Sequence, residues 1–336
     1  MVTIILATQA CGNFTSTETT PAPDPGTTTT SLPTDPIITI SGPTARPRDT
    51  SLNNFGINVD GISYYNNSAI FADMAKAISS NHGRWDAGPA EAPLDSGGNP
   101  LVKASGSVTA DYPSGDYLVS WDGTGALSAQ EKMTVPIVTN VGGTQHNAAM
   151  MTHVQKQGAW ISFTATPPIT NIRIVAPTSE IYPGTYFLND YINRLKPFTT
   201  IRFMGAQNID GTTIANWTER TWPDQGSRAT NGGFAYEDII ALGNILVADV
   251  WVNLPVLATD DYVCRMARLF KFGESGDKQD LPCDPKAPAG DVNSASLNIT
   301  SKIYLEYSNE LWGGIPSNRN VVQNMAMGVI KTPSAI

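Results

Sequence analysis

Short apolar runs and helical patterns alternate in two parts of the chain. The apolar run at residues 55–59 predicts a buried strand, and apolar positions three or four residues apart over residues 69–80 predict a helix. The same alternation returns later, with predicted strands at 198–204, 247–254 and 303–308 and predicted helices at 236–246 and 260–270. Because strands that alternate with helices build parallel sheets, the pattern favours an α/β fold.

The pattern of apolar and polar residues is different over residues 94–176. Apolar and polar residues alternate at 117–121, 134–138 and 160–164, and Gly, Ser and Thr separate these runs. Such alternation between turn residues is typical of antiparallel strands. We therefore predict a partial TIM (β/α) barrel with an antiparallel β module inserted after the first βα unit. A doubly wound sheet is the alternative, although the chain has no Gly-x-Gly-x-x-Gly turn and no P-loop.

The predicted organisation divides the chain into consecutive segments. They are a signal remnant at 1–11, a linker at 12–50, the first βα unit at 51–93, the β module at 94–176 and barrel units two to four at 177–336. A complete barrel has eight βα units. The chain is therefore expected to be the front part of a longer protein.

The amino-terminal segment combines an apolar run with a cysteine. Residues 1–11 resemble the end of a bacterial lipoprotein signal, which implies lipidation of Cys11, although no Lys or Arg precedes the apolar run. The linker that follows is rich in Thr and Pro, a composition that behaves as an extended tether. We expect a secreted or cell-surface bacterial lipoprotein that meets the membrane only through this anchor.

Charge and composition exclude several classes of function. Acidic side chains outnumber basic ones by 30 to 21, and no Lys/Arg cluster is present that could track a phosphate backbone, so nucleic acid is not an expected partner. The three histidines, His82, His146 and His153, lack the spacing of zinc ligands, and the chain has no Gly-x-Ser-x-Gly elbow. No metal and no cofactor are expected.

Two cysteines remain after Cys11. Export to an oxidising compartment would permit a disulfide between Cys264 and Cys283, which closes a polar, Gly-containing loop. Two unrelated buried thiols are the alternative.

Residues 304–312, with the sequence YLEYSNELW, carry the most specific pattern. An aromatic-rich run ends in the pair Asn309-Glu310. The segment resembles the fourth-strand signature of clan A glycoside hydrolases, a clan that includes cellulase-like secreted proteins of bacteria. The resemblance implies that Glu310 is the general acid/base, which donates a proton to the departing glycosidic oxygen, and that Asn309 bonds a sugar hydroxyl. The alternative is an ordinary strand end that leads into a helix cap.

Further candidates follow from the same resemblance and from their positions. Arg202 resembles the clan's second-strand arginine, which orients the catalytic carboxylates, or is a core arginine that pairs with Glu306. Glu306 itself is expected inside the barrel, paired with a cation. The substrate-binding candidates are Trp312, Trp251, Asn253, Tyr307, Trp217 and Arg220.

The leading functional expectation is a retaining glycoside hydrolase that acts as a monomer on a polysaccharide or oligosaccharide. The clan's nucleophile is a second glutamate on the seventh strand, for which no residue of this chain is nominated. The chain alone is therefore expected to be inactive, because retaining hydrolysis needs two carboxylates. The alternative function is a surface lipoprotein that binds carbohydrate without turnover.

Overall fold

A computed structural model describes residues 55–65, 68–109, 111–156, 160–276, 283–290, 292–311 and 319–323. All of them belong to one compact unit, Ile38–Ile336. The predictions for Cys11, for the linker at 12–50 and for Trp312 lie outside the described residues.

Strands dominate the described part of the chain. They are β1 (Gly56–Asn58), β2 (Ala104–Val108), β3 (Gly115–Asp122), β4 (Ala126–Ala129), β5 (Lys132–Met133), β6 (Ile137–Val141), β7 (Thr144–His153), β8 (Ile161–Thr166), β9 (Thr170–Val175), β10 (Thr200–Arg202), β11 (Asp249–Leu254) and β12 (Ile303–Tyr307). The α-helices are α1 (Asn189–Leu195), α2 (Tyr236–Leu246) and α3 (Asp260–Phe272), and residues 319–323 are helical as well. Short 3₁₀ turns lie at Met74–Ala77, Thr178–Glu180 and Trp217–Glu219.

Four strands form a parallel sheet in the order β1-β10-β11-β12. One face is apolar, because Ile201, Val250 and Val252 are fully buried against the helices. Helix α3 presents Met266 and Leu269 to this core, begins at the cap residue Thr259 and ends at Gly273. The helices therefore cover this face over β10 and β11, whereas Ile303 and Leu305 of β12, on the same side, remain exposed. The chemistry of the site lies on the other face.

The residues between β1 and β10 form two antiparallel sheets. One has the strand order β2-β8-β4, and the other contains β5-β7-β3-β9 with β6 paired to β7. Alternate residues of β3 are buried, among them Tyr117, Val119 and Trp121. This alternation is what the sequence pattern over residues 94–176 predicts, and it gives the antiparallel sheets a core of their own.

The helix predicted over residues 69–80 is wrong. Only Met74–Ala77 forms a 3₁₀ turn, and the flanking residues are extended and bridged to other segments, for example Asp73 to Val175 and Ser79 to Ser107. Every residue from 70 to 80 is buried, including Lys76. A segment that is buried on all sides carries no exposed face, so its apolar spacing does not identify a helix.

The prediction of a partial TIM barrel with an inserted module is wrong as well. The described residues are rich in strands and form three sheets, two of them antiparallel, and the parallel sheet has four strands in an open order. The physical reason lies in the first predicted βα unit, which has no α-helix after β1. The long connection from β1 to β10 instead folds as antiparallel sheets with a separate core.

A buried ionic cluster lies beside both cores. Arg228 and Asp238, with side chains 1% and 2% exposed, form an ion pair at 2.6 Å. The amine of Lys76 donates to the carbonyl oxygens of Pro223 and Gln225 at 3.0 and 3.4 Å. Burial, and next to it the positive charge of Arg228, lowers the pKa of Lys76 from 10.5 to about 7.

The depressed pKa of Lys76 predicts a pH-dependent stability. Above pH 7 the unfolded chain keeps a proton on this lysine that the folded chain loses, so the free energy of unfolding rises with pH until the unfolded lysine also titrates. We expect the free energy of unfolding of the wild type, relative to that of Lys76→Met, to rise by about 2 kcal/mol between about pH 7.5 and about pH 9.5. Urea unfolding of both proteins at the two pH values measures it. Parallel pH profiles would show that the folded lysine stays charged.

Candidate functional site

A cleft of about 660 Å³ lies on the second face of the parallel sheet and extends from the first residues of β1 and β10 to the segment after β12. We call it the sheet cleft. Its lining residues are Gly56, Ile57, Asn58, Thr200, Arg202, Trp251, Tyr304, Glu306, Asn309 and Glu310.

Strand register explains why these residues share one surface. Asn58 is paired with Arg202, Arg202 with Trp251, and Trp251 with Tyr304, so one residue from each strand lies in a row across the sheet. Glu306 is two residues beyond Tyr304 and therefore faces the same side. The row places charged, amide and aromatic side chains side by side, and Trp251 and Tyr304 remain 36% and 42% exposed.

The guanidinium of Arg202 is the centre of this row. It donates to Oε2 of Glu306 through Nε at 3.2 Å and Nη2 at 2.7 Å, and to Oδ1 of Asn309 at 2.9 Å. It also donates to Oδ1 of Asn58 at 3.4 Å and lies 5.2 Å from the ring centroid of Trp251. The predicted pairing of Glu306 with a cation is confirmed.

Asn309 is held from two sides. Its Oδ1 accepts from Arg202, and its Nδ2 donates to the carboxylate of Asp210 at 3.1 and 3.3 Å. The Oδ1 of the side-chain amide keeps a second lone pair. Asn309 lines the sheet cleft although it is 3% exposed, so its amide is oriented before any ligand arrives.

The backbone that follows β12 is fixed by a fully buried amide. The Nδ2 of Asn253 donates to the carbonyl oxygen of Ser308 at 2.6 Å. The side-chain amide of Gln207 in turn binds the backbone of Asn253: it accepts from the N–H of Asn253 and donates to its carbonyl oxygen, each at 2.9 Å. These contacts place Asn253 beneath the strand end, where it supports the site and does not line the sheet cleft.

The same strand end is conformationally strained. Ser308 and Glu310 have φ values of 57° and 44°, in the left-handed region that residues with a Cβ rarely adopt. Ser308 is fully buried, and its hydroxyl has no hydrogen-bond partner among the described residues. Strain of this kind persists only where surrounding contacts overdetermine the backbone. Here those contacts are the hydrogen bonds of Asn253 and Asn309.

Glu310 emerges from this fixed backbone three residues beyond the end of β12. Its side chain lines the sheet cleft and is exposed. Glu306, the other carboxylate in the lining, has its Oε2 engaged by Arg202 and by the indole N–H of Trp251 at 3.0 Å. Of the two carboxylates, Glu310 is the more exposed.

Besides Asn253, three further sequence candidates lie outside the sheet cleft. Trp217 is 3% exposed and stacks on Tyr236 with a centroid distance of 5.9 Å. Arg220 is 2% exposed and forms two hydrogen bonds to Glu237 at 2.7 and 2.8 Å. The hydroxyl of Tyr307 donates to the carbonyl oxygen of Val256 at 2.7 Å. Trp217 and Arg220 therefore belong to the core beneath α2, and the side chain of Tyr307 points away from Glu306.

Sequence reasoning missed Tyr304, Asn58 and Asp210. Side chains alternate between the two faces of a strand, so Tyr304, two residues before Glu306 in β12, lies on the same face as Glu306 and could have been identified. Asn58 is the last residue of β1 and Arg202 is the last residue of β10. A parallel alignment of the two predicted strands pairs these residues. Asp210 reaches Asn309 from a loop, and the sequence holds no signal for that contact.

Other sequence expectations concern ions, membranes and cysteines. Among the described residues, no group of three His, Cys, Asp or Glu side chains is placed to hold a metal ion, and no helix has the length and apolar character to cross a membrane. A disulfide joins Cys264 on α3 to Cys283, whose backbone N–H also donates to Asp261 at 2.7 Å.

Comparisons with protein-family models, with curated proteins and with solved structures found no match.

The strain at Ser308 predicts a measurable effect on stability. Ser308→Gly removes the steric penalty of a positive φ, whereas Ser308→Ala removes only the unpartnered hydroxyl. Comparing the two variants therefore isolates the energetic cost of the backbone conformation at position 308. We expect the glycine variant to exceed the alanine variant by about 1 kcal/mol in free energy of unfolding. Denaturant unfolding of both variants measures the difference. Equal stabilities would contradict a strained backbone at this position.

Proposed function

We propose that this protein is a glycoside hydrolase in which Glu310 is the general acid/base. The observation that carries the proposal is the exposed carboxylate of Glu310 on a cleft whose other walls are aromatic rings and oriented polar groups. A glycosidic bond needs a carboxylic acid at its oxygen, and the departing sugar needs a surface that binds hydroxyls and ring faces.

The aromatic rings supply a surface for a sugar ring. Trp251 and Tyr304 lie next to each other, with ring centroids 6.1 Å apart, and both are partly exposed in the sheet cleft. Each offers an apolar face, while Asn58 and Asn309 offer amide groups at the same level of the sheet. Apolar faces beside a few fixed polar groups are the usual composition of a small-molecule site.

In the proposed reaction, Glu310 donates its proton to the glycosidic oxygen as the bond from that oxygen to the anomeric carbon breaks, and the anomeric carbon forms a bond to a second carboxylate, the nucleophile of a retaining mechanism. The Glu310 carboxylate then takes a proton from the water that displaces this nucleophile from the anomeric carbon. Asn309 positions a sugar hydroxyl beside the anomeric carbon through the second lone pair of its Oδ1. Glu306 positions Arg202 and, with its Oε2 saturated, is not proposed as the nucleophile; no residue of this chain is.

A second candidate function is carbohydrate binding without turnover. The same observation of exposed Trp251 and Tyr304 favours it, because binding needs the rings and not the acid. The two functions separate at Glu310, which is indispensable only for hydrolysis. In either case we propose an exported protein, since the disulfide between Cys264 and Cys283 persists best in an oxidising compartment.

The proposal predicts that Glu310→Gln lowers polysaccharide hydrolysis by about 10²–10⁴-fold, because the amide cannot donate an acidic proton. The assay measures reducing sugar released from a panel of polysaccharides by the natural full-length product. Glu180→Gln, the same change outside the sheet cleft, is the matched control and keeps wild-type activity. Activity that survives Glu310→Gln excludes the acid role.

A substrate with a better leaving group sharpens this test. Dinitrophenolate departs without a proton, so bond cleavage in a dinitrophenyl glycoside should be far less sensitive to Glu310→Gln than polysaccharide hydrolysis. An equal loss on both substrates would indicate that the substitution damages binding or folding. Polysaccharide binding by a protein that hydrolyses neither substrate would favour the alternative function.

A further inference from the structure

We propose that a second cavity, beyond the carboxyl ends of β1 and β10, is a glycan-binding subsite that extends the sheet cleft. The cavity measures about 320 Å³ and is bordered by an aromatic cluster. We call it the aromatic subsite and define it by Asp60, Tyr64, Tyr65, Asn81, Trp160 and Asn208. The inference rests on the proposed function only for the class of ligand.

The aromatic subsite and the sheet cleft are neighbours along the same strand. Asn58, the last residue of β1, lines the sheet cleft, and Asp60 lines the aromatic subsite. Two extended residues span no more than about 7 Å, so one oligosaccharide could contact both cavities. The loops after β1 and β10 meet backbone to backbone here, because a Cβ on Gly61 would lie 2.6 Å from the carbonyl oxygen of Gly205.

The aromatic cluster presents rings to solvent. Tyr64 contacts Tyr65 and Trp160 edge to face, with centroid distances of 5.2 and 4.4 Å. Tyr65 is 77% exposed and Trp160 is 45% exposed, so much of their ring area is not used in folding. Trp160 comes from the antiparallel part of the chain and Tyr64 from the loop after β1. The cluster thus holds the two parts together at the edge of a cavity.

Polar groups of the kind that bind hydroxyls line the cavity beside the rings. Asp60 accepts a bond from the N–H of Gly61 at 2.9 Å through one carboxylate oxygen. Asn208 uses its amide N–H to bind the carbonyl oxygen of Thr230 at 3.1 Å, and Asn81 is exposed. A carboxylate and amides can accept from and donate to neighbouring hydroxyls, and the rings can cover the apolar face of a sugar.

The charge of the cavity disfavours a phosphorylated ligand. Arg228 is a cation in its lining, and its five N–H groups are engaged by Asp238 and by the carbonyl oxygens of Trp222, Pro223 and Gln225. Asp60 adds a negative charge to the lining. A neutral polyhydroxylated ligand fits this combination better than a nucleotide does, because no donor of Arg228 is left for a phosphate.

The experiment measures binding to soluble cellulose derivatives, xylan, galactomannan and mixed-linkage glucan by affinity electrophoresis of the natural full-length product. Tyr65→Ala and Trp160→Ala should each weaken the binding of the retained polysaccharide about tenfold, which is about 1.4 kcal/mol. Tyr65→Phe and Trp160→Phe keep a ring and should bind within about twofold of wild type. Thermal unfolding of each variant verifies that it is folded.

Hydrolysis of a dinitrophenyl monosaccharide separates this inference from the proposed function, because so short a substrate does not reach the aromatic subsite. Its rate should fall less in the two alanine variants than their polysaccharide binding does. Binding that weakens in the alanine variants while no protein hydrolyses any substrate supports the subsite and contradicts the hydrolase. Wild-type binding in the alanine variants, or no polysaccharide bound by the wild type, overturns the subsite whatever the role of Glu310.

Discussion

The guanidinium of Arg202 joins three of the four parallel strands at their carboxyl ends. It contacts Asn58 at the end of β1, Glu306 near the end of β12 and Asn309 beyond it, and its own strand β10 lies between them. A planar group with five N–H donors can satisfy such separated acceptors at once, whereas a lysine could not keep the same geometry. The arrangement of the sheet cleft follows from this one side chain.

The cost of holding these charges away from water is offset locally. The side chains of Arg202 and Glu306 are 17% and 21% exposed, and the pair is completed by the indole N–H of Trp251 and by its ring. An ion pair of this kind contributes little net stability but is costly to break on one side only. It therefore fixes the arrangement of the site more than it stabilises the fold, and the strained backbone at Ser308 and Glu310 depends on that rigidity.

Local pattern predicted part of the architecture. The helix over residues 236–246 was predicted with the bounds of α2, and the strand before α3 and the strand of Glu306 were predicted within two residues of their starts. Helix α3, predicted over residues 260–270, buries only Tyr262, Met266, Leu269 and Phe270, so its periodicity is visible in the sequence. The segment at 69–80 is covered on every side, and its conformation is decided by bridges to Val175 and Ser107 that sequence spacing does not contain.

The sequence predicts the site residues whose positions are set by strand ends, and it does not predict those whose positions are set by loop contacts. Glu310, Asn309, Arg202 and Trp251 line one cleft because register brings strand ends together. Asn253, on the face of Trp251, is fully buried and its side-chain amide donates to the carbonyl oxygen of Ser308, and this contact turns a candidate ligand group into a support. The fold class was wrong because the sequence does not reveal that the connection from β1 to β10 builds its own core.

A crystal structure of the Glu310→Gln variant, in the natural full-length product, with an uncleaved oligosaccharide tests the acid role of Glu310. We expect a glycosidic oxygen within about 2.6–3.2 Å of the side-chain amide at position 310, one sugar ring against Trp251 and a hydroxyl on Asn309. An oligosaccharide bound away from the sheet cleft, or one whose linkage oxygens all lie beyond hydrogen-bonding reach of position 310, would contradict the assignment of Glu310 as the acid.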